Sequence, residues 1–480
     1  MSHAFGRSCK SHSEAKDGFD IKKYMSTASV ARDMIEIAEK HSEWAVDQAN
    51  KLATKKMGVM RTKDVTKRQM YSYGRGSIKL NYLGFSYGTY LGSTFAAMFP
   101  DRVGRLVLDG VVDVRDYNDA LGKGSLRDTE KDMKSFYTYC MLSGPEACPL
   151  ATPGSTLEEI EQRVQRIIQS LYHSPIAINT DDGPEILTFS DIKTITFVSL
   201  YSPAISFPGL AAILADVEAG GGPVLNSIAN ALHGSHVYSC PIDGSPSSPI
   251  LPFEEVAQDA ILCGDGKDIT HLDIDGMETY WRLLDGISPA IGSIWATISM
   301  RCAAWPIKPL FRLGDNDDNF HGNTSHPILW VSTTADPVTP LYSARVMAKR
   351  FPGSVVLAQD SAGHCSLSTP TACTVGAIKT YFQTGVLPPP DSLCAPPNSP
   401  WSLNSTDPNS PFYDPSLGKP VHLAGESLAE EDMHAARELQ RWFAETNHYG
   451  MGRFGNRASG AVAAASAAAA AQFAAAKEEL

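Results

Sequence analysis

The pentapeptide Gly84-Phe85-Ser86-Tyr87-Gly88 is the strongest chemical signal in the sequence. A G-x-S-x-G pattern between a strand and a helix holds its serine in a strained turn with the hydroxyl exposed, and the flanking glycines let strand and helix approach closely. A serine hydroxyl is a poor nucleophile at neutral pH and needs a base that a third group orients. The alternative interpretation is a glycine-rich turn with an inert serine. The pattern predicts Ser86 as a nucleophile, with Gly84 and Gly88 supporting its turn.

Two segments late in the chain offer the acid and the base that such a serine needs. The expected chain order is serine, acid, histidine. Asp336 comes shortly after the predicted strand Ile328–Val331, and His364 follows the next predicted strand, Val355–Ala358. The separation of 250 residues between Ser86 and Asp336 leaves room for an inserted lid, and the 28 residues from acid to base fit one helix and one strand. The sequence therefore predicts a triad of these three side chains.

Two nearby residues have open roles. Asp109, at the end of a predicted strand, is a second candidate for the acid; its alternative role is to cap or hydrogen-bond a loop. Thr339 stands three residues after Asp336. We expect it either to hydrogen-bond near Asp336 and hold the carboxylate, or to cap the helix that follows Pro340, because threonine does both.

Regular elements that can position these groups surround them. Ile78–Leu83 predicts a short strand, Tyr87–Phe99 a helix that ends at a proline, and Leu106–Leu108 a second strand. Upstream, apolar residues recur at helical spacing between Thr27 and Leu52. A strand, a helix and a second strand in this order indicate a parallel sheet covered by helices.

The same reading divides the chain into four parts. We expect an incomplete N-terminal part of the core at residues 1–114, a lid of helices and long loops at 115–299, a returning part of the core with acid and histidine at 300–396, and a linker with an alanine-rich tail at 397–480. One amphipathic helix is predicted at Glu426–Glu445. We expect the last fifty or so residues to pack poorly.

The amino-acid composition excludes several classes of protein. The 480 residues are 43% hydrophobic and 20% charged, which is the globular range, and the net charge is −12. That charge argues against a general nucleic-acid or anionic-membrane binder and favours a small or neutral partner. No apolar run is suited to span a membrane. No C-x-x-C occurs, so we expect no zinc site, and nothing indicates a cofactor.

Longer segments resemble a known family. GFSYGTYLGSTFAAMFPDRVGRLVLDGVVD, the Asp-Pro-Val-Thr-Pro box and the Gly-His-Cys-Ser box are similar to secreted α/β-hydrolase peptidases related to tripeptidyl aminopeptidases and proline iminopeptidases, over roughly Ile21 to Pro396. The resemblance implies an α/β-hydrolase fold with a mainly helical lid. It makes Ser86 the nucleophile, Asp336 the acid and His364 the base, and it gives half of the oxyanion hole to the backbone N–H of Tyr87.

The resemblance also implies three disulfides, and short loop closure makes the first and third geometrically easy: Cys140–Cys148, Cys263–Cys302 and Cys373–Cys394. Disulfides suit an oxidising, extracellular compartment. The first twenty residues, however, contain no apolar stretch of the kind that a secretory signal needs, so the sequence taken literally predicts a cytoplasmic chain.

The sequence departs from the family at its beginning. Family members carry a Gly-Gly-Pro-Gly-like loop before the nucleophile, whose N–H donates the second oxyanion hydrogen bond, and residues 1–77 contain no such loop and no clear strand. We therefore expect the first strands of the sheet to be missing, as in a chain that lacks the N-terminal portion of a secreted parent. Losing one donor costs about 100- to 1000-fold in rate, so we expect a weak or inactive catalyst with an intact triad.

Three functions remain open at this stage. The leading hypothesis is a serine exopeptidase that releases short N-terminal peptides or single residues through an acyl-enzyme. The second is a catalytically impaired hydrolase-fold protein that at most binds ligands. The third is an esterase that uses the same triad, so that the substrate is a peptide or a small ester.

Overall fold

The computed structural model describes residues 4, 6–11, 18–59, 72–120, 122–180, 183–233, 253–397, 400–420, 430–446, 458 and 460–469. Their centre is a parallel sheet of five strands in the order β1-β2-β5-β6-β7. The strands are β1 Leu80–Phe85, β2 Val103–Asp109, β5 Leu329–Ala335, β6 Val355–Ala362 and β7 Leu393–Cys394. Two further strands, β3 Ile176–Thr180 and β4 Gly183–Leu187, pair antiparallel outside this sheet.

The sheet has a buried middle and a half-exposed edge. Every residue of β5 is buried, and β2 is buried at all positions but one. Such apolar strands are typical of a parallel sheet with helices on both faces. At the edge, β1 alternates between half-buried and exposed residues, and within the described ranges no strand precedes Leu80. The described part of the sheet therefore begins with the strand that leads to Ser86.

Helices of the core cover the sheet. They are α1 Thr27–Val59, α2 Tyr87–Met98, α12 Leu341–Ala348 and α13 Ala372–Thr384. Helix α1 packs along α2. Its buried Glu39 accepts hydrogen bonds from the Tyr73 hydroxyl at 2.5 Å and from the Gly76 N–H at 2.9 Å, and it pairs with the guanidinium of Arg102. Helix α1 is thus fixed to the segments that enter β1 and β2.

The lid stands between β2 and β5 in the chain. Its helices are α3 Val114–Asn118, α4 Thr129–Ala147, α5 Leu157–Ser170, α6 Phe189–Ser199, α7 Pro203–Glu218, α8 Pro223–His233, α9 Phe253–Asp265, α10 Ile274–Ile287 and α11 Gly292–Ala303. Short 3-10 turns lie at Ile21–Tyr24, Pro100–Arg102, Ser125–Asp128, Asp317–Asn319 and Ser366–Ser368. The lid has its own apolar core, and it includes the β3–β4 hairpin, which the expectation of helices and loops alone did not contain.

The C-terminal residues pack better than the sequence indicates. Helix α14, Glu430–Thr446, lies against the 3-10 turn Ser366–Ser368 and α13. Beyond it, the buried Ala461, Val462 and Ala465 join the core of the lid. The expectation of poor packing is wrong for these residues, because small alanine side chains allow a helical backbone to approach the lid closely, which composition alone does not reveal.

The structure contains three disulfides, and they are the pairs that the resemblance implies: Cys140–Cys148, Cys263–Cys302 and Cys373–Cys394. The second joins α9 to α11 within the lid, and the third joins α13 to β7 at the edge of the sheet. Among the described cysteines, Cys9 and Cys365 are free. In the part of the chain that the structure describes, no helix is both long and apolar enough to cross a membrane.

Candidate active site

Ser86 occupies the turn between β1 and α2. Its backbone has φ 53° and ψ −123°, in the left-handed half of conformational space that strains a residue with a side chain. Its N–H donates to the Asp109 carbonyl at 3.0 Å, across the neighbouring strand. A Cβ atom on Gly84 would lie 2.6 Å from the Gly88 carbonyl oxygen, so only glycine permits this close approach. The turn therefore has the geometry that G-x-S-x-G predicts.

The backbone N–H of Tyr87 is the candidate oxyanion donor. Tyr87 is the first residue of α2, and the first N–H groups of a helix have no partner within it. Its side chain points away to the N-terminal helix, where its hydroxyl lies 2.5 Å from Thr27 Oγ1. Thr27 in turn donates its N–H to Asp265 at the end of α9 at 3.0 Å. Helix α1, the nucleophile turn and the lid are thus connected beside the site.

Asp336 follows β5 and is completely buried. Its carboxylate accepts backbone N–H groups from Val338 at 3.0 Å, Thr339 at 2.7 Å and Cys365 at 2.9 Å. Both of its oxygens lie 3.0 Å from His364 Nδ1. These donors compensate for the loss of water around a buried charge and fix the carboxylate against the imidazole.

His364 follows β6 and is also completely buried. Because the Asp336 carboxylate accepts from Nδ1, the proton belongs on Nδ1 and the lone pair on Nε2. Nε2 is buried and has no hydrogen-bond partner among the described residues. The Ser86 hydroxyl is therefore not bonded to the imidazole in this conformation. Nε2 is nevertheless in the state that a general base requires, since its lone pair is free to accept a proton.

Thr339 contributes to the site in a way that neither sequence alternative describes in full. Its N–H binds Asp336, whereas its hydroxyl lies 3.0 Å from His364 Nδ1. The helix after Pro340 has no side-chain cap. The threonine thus holds the carboxylate through its backbone and touches the imidazole through its side chain.

Asp109 connects the Ser86 turn with the segment that carries His364, residues 363–368, which we call the histidine loop. Its carbonyl accepts from the Ser86 N–H, and also from the Cys365 thiol at 3.5 Å. Its carboxylate binds Ser366. Burial raises the pKa of Asp109 to about 6 and raises the pKa of the Cys365 thiol far above its usual range. Asp336, and not Asp109, therefore lies against His364 Nδ1, whereas the Asp109 carboxylate binds Ser366.

The segment that binds the Ser86 turn lies close to the segment that carries His364. A Cβ atom on Gly110 would lie 2.3 Å from Cys365 Sγ and 3.3 Å from His364 Cε1. Gly110 directly follows Asp109, whose carbonyl binds Ser86. The fold therefore brings together segments separated by 278 positions in the sequence, from Ser86 to His364.

Sequence reasoning missed a contact from the lid. The backbone carbonyl of Tyr201 accepts the His364 backbone N–H at 3.0 Å. The Tyr201 ring contacts the imidazole edge-on, with ring centroids 4.8 Å apart. Tyr201 lies between α6 and α7, in a segment with no motif. Nothing in the local sequence marks it, because the contact depends on how the lid folds back over the core.

Metal binding has one candidate among the described residues. Ligand atoms of Asp336, His364 and Cys365 lie within 4.8 Å of one another. The Asp336 oxygens already accept N–H donors, and the thiol is in its neutral form because its pKa is raised. A metal ligand would need a free carboxylate or a thiolate. The group therefore fits proton transfer better than metal coordination.

Comparison with known proteins agrees with this architecture. Residues 288–394 match the model of the TAP-like protein family within the α/β-hydrolases. Serine protease Hip1 of Mycobacterium tuberculosis is 28% identical over 329 residues, which cover 66% of this chain and 58% of that protein. The tripeptidyl aminopeptidase of Streptomyces lividans is 26% identical, with 68% of this chain and 56% of that protein covered.

A further relative is named for a different activity. Carboxylesterase B of Mycobacterium tuberculosis is 24% identical over 62% of this chain and 53% of its own length. The chain thus spans little more than half the length of the curated relatives it matches. The parallel sheet and the serine turn together with these matches give the chain an α/β-hydrolase fold, and residues 288–394 are similar to the TAP-like proteins.

Proposed function

We propose that the protein is a serine hydrolase of the peptidase type, with Ser86 as nucleophile, His364 as base and Asp336 as the group that orients the base. The observation that carries this proposal is the buried Asp336–His364 pair with a proton-accepting Nε2, adjacent to a serine in a strained strand-to-helix turn. Strain of this kind persists where the surrounding structure and the function require it.

The reaction that follows has two halves. The Ser86 oxygen attacks the substrate carbonyl while its proton passes to His364 Nε2, and the electron pair of the carbonyl forms an oxyanion that the Tyr87 N–H binds. The imidazolium then gives its proton to the leaving amine, and the C–N bond breaks to leave an acyl-enzyme. A water molecule then attacks the acyl-enzyme in the same way, with His364 as the base, and the carboxylic acid product leaves Ser86. Asp336 stabilises the imidazolium at each stage.

Within this class we propose an exopeptidase that removes short N-terminal peptides or single residues. Support comes from the name of the Streptomyces relative, tripeptidyl aminopeptidase, and from how completely the surrounding chain encloses the site, since both His364 and Asp336 are completely buried. A site closed on that scale favours chain ends over the middle of a folded polypeptide. The disulfides support an oxidising, extracellular compartment as the place of action.

An esterase is the second candidate, because one relative bears the name Carboxylesterase B. A peptidyl anilide and a simple ester of the same acid separate the two: a peptidase turns over both, because an enzyme that cleaves the more resistant amide bond also cleaves the more reactive ester, whereas an esterase acts on the ester alone. An impaired catalyst is the third, because Ser86 is not bonded to Nε2 in this conformation.

A fluorophosphonate probe tests the serine chemistry directly. We expect covalent labelling at Ser86 that is absent in the Ser86→Ala variant. Folded protein with the native serine that shows no labelling even after prolonged exposure to the probe would exclude the proposed mechanism and favour the impaired alternative.

A further inference from the structure

The C-terminal helix α14 inserts one aromatic side chain at the candidate base. Phe443 is only 3% exposed. Its ring centroid lies 6.1 Å from that of His364 and 5.8 Å, edge-on, from that of Phe85. It forms an apolar cluster with Cys365 and Leu367. One of these four neighbours is the proposed base itself, and the other three flank the reacting groups, since Phe85 precedes Ser86 and Cys365 and Leu367 follow His364.

Two polar contacts of described side chains also attach this helix to the core. Gln440 donates to the Ser368 carbonyl at 2.8 Å, and Lys379 pairs with Asp432 at 2.6 Å. The ion pair is partly exposed, and exposed pairs stabilise little. Leu439, on the same helix, is 49% exposed. Phe443 is the most deeply buried of the described side chains of this helix.

The residues after the helix connect the same tail to the lid. Ser466 Oγ accepts the Gly209 N–H of α7 at 3.1 Å. A Cβ atom on Gly209 would lie 2.6 Å from the Val462 carbonyl oxygen, so the tail backbone lies directly on α7. The C-terminal residues thus contact the core near His364 and the lid at α7, and they link the two.

We propose that Phe443 occupies a substrate subsite formed by Phe85, Cys365 and Leu367 beside His364, which takes a large apolar side chain of a peptide, and that α14 keeps the site latent until it leaves. This inference rests on the proposed serine-hydrolase function. An apolar lining without an exposed charge recognises apolar side chains, because their burial is favourable and burial of a polar group is not. A completely buried base with an unpartnered Nε2 is the expected state of a site that its own chain fills.

The test compares Phe443→Ala with Leu439→Ala in the full-length chain. Loss of a buried phenyl raises the population of the released helix by about 10- to 100-fold, so we expect fluorophosphonate labelling of Phe443→Ala to be faster than wild type by about that factor. Leu439→Ala, in which an exposed side chain of the same helix is lost, keeps the wild-type rate. Equal rates for all three proteins overturn the latent state and leave the serine-hydrolase function standing.

Two more measurements make the result independent of any single variant. Gln440→Ala loosens the helix without changing the subsite, and we expect a smaller increase in labelling from it, whereas Lys379→Ala removes only a partly exposed ion pair and should change the rate little. If Phe443→Ala does not fold, an unchanged rate in Gln440→Ala overturns the proposal. In Phe443→Ala, kcat/KM on peptidyl anilides rises most for substrates with phenylalanine or leucine next to the scissile bond. A uniform rise for serine and leucine substrates overturns the subsite. If no folded variant labels at all, the proposed function fails, and this inference with it.

Discussion

The carboxylate of Asp109 accepts both the hydroxyl of Ser366 at 2.5 Å and its backbone N–H at 2.9 Å. Since the Asp109 carbonyl also accepts the Ser86 N–H, one residue connects the nucleophile turn with the histidine loop. Side chains that must meet within hydrogen-bond reach depend on such neighbours to hold their loops in register. Asp109 is accordingly a positioning residue in the proposed mechanism.

Asp109→Asn tests the cost of this buried carboxyl. Its pKa is raised by burial to about 6, against about 3.9 in an unfolded chain. The proton is bound more tightly in the folded state, so the associated stability is complete below about pH 4 and is lost as the pH rises through about 6. Wild type should lose about 2–3 kcal/mol of unfolding free energy relative to the asparagine variant between pH 4 and pH 7. Urea unfolding of both proteins across this range measures it; a difference that does not vary with pH would contradict the assignment.

Asp336→Asn should abolish most turnover while the fold persists. The amide cannot hold the imidazole with its proton on Nδ1, and the expected loss in kcat is about 10⁴-fold. Kinetics on a peptidyl anilide, with thermal unfolding as the control for folding, provide the measurement. A loss of less than tenfold would remove Asp336 from the acid position and return Asp109 to consideration.

Thr339→Val separates the two contacts of this residue. The backbone N–H to Asp336 remains, and only the hydroxyl contact with His364 Nδ1 is lost. A single hydrogen bond contributes about 0.5–1.5 kcal/mol, so kcat should fall by about tenfold or less. A loss near that of Asp336→Asn would mean that the hydroxyl does more than help to orient the ring.

The disulfide between Cys263 and Cys302 should stabilise the lid. It closes a loop of 39 residues between α9 and α11. Replacing both cysteines by serine should lower the free energy of unfolding by about 2–4 kcal/mol, because the unfolded chain gains conformational freedom. Chemical denaturation of the double variant measures this, with wild type in reductant as a second comparison. Unchanged stability in both would show that the lid core supports these helices without the bond.

The sequence by itself determined the local chemistry. Gly84 and Gly88 around Ser86 require a tight strand-to-helix turn, and apolar runs of strand length predict β5 and β6, so their ends place Asp336 and His364. Both strands extend further than predicted, to Ala335 and Ala362. The polar residues near their ends are buried because they form hydrogen bonds, which a hydropathy pattern does not show. Thr334, for example, donates its hydroxyl to the buried Asp360.

Only the tertiary structure decided what surrounds these groups. Three residues reach the site from distant elements: Tyr201 from the lid, Asp109 from a neighbouring strand and Phe443 from the C-terminal helix. They lie too far apart in the sequence for any helix or strand periodicity to relate them. The alanine-rich tail shows the reason most clearly. Its composition predicts weak packing, yet Ala461 and Ala465 are completely buried, because α7 offers Gly209 at the point where the backbones meet. Packing of this kind depends on the shape of two distant surfaces, and neither segment encodes that shape alone.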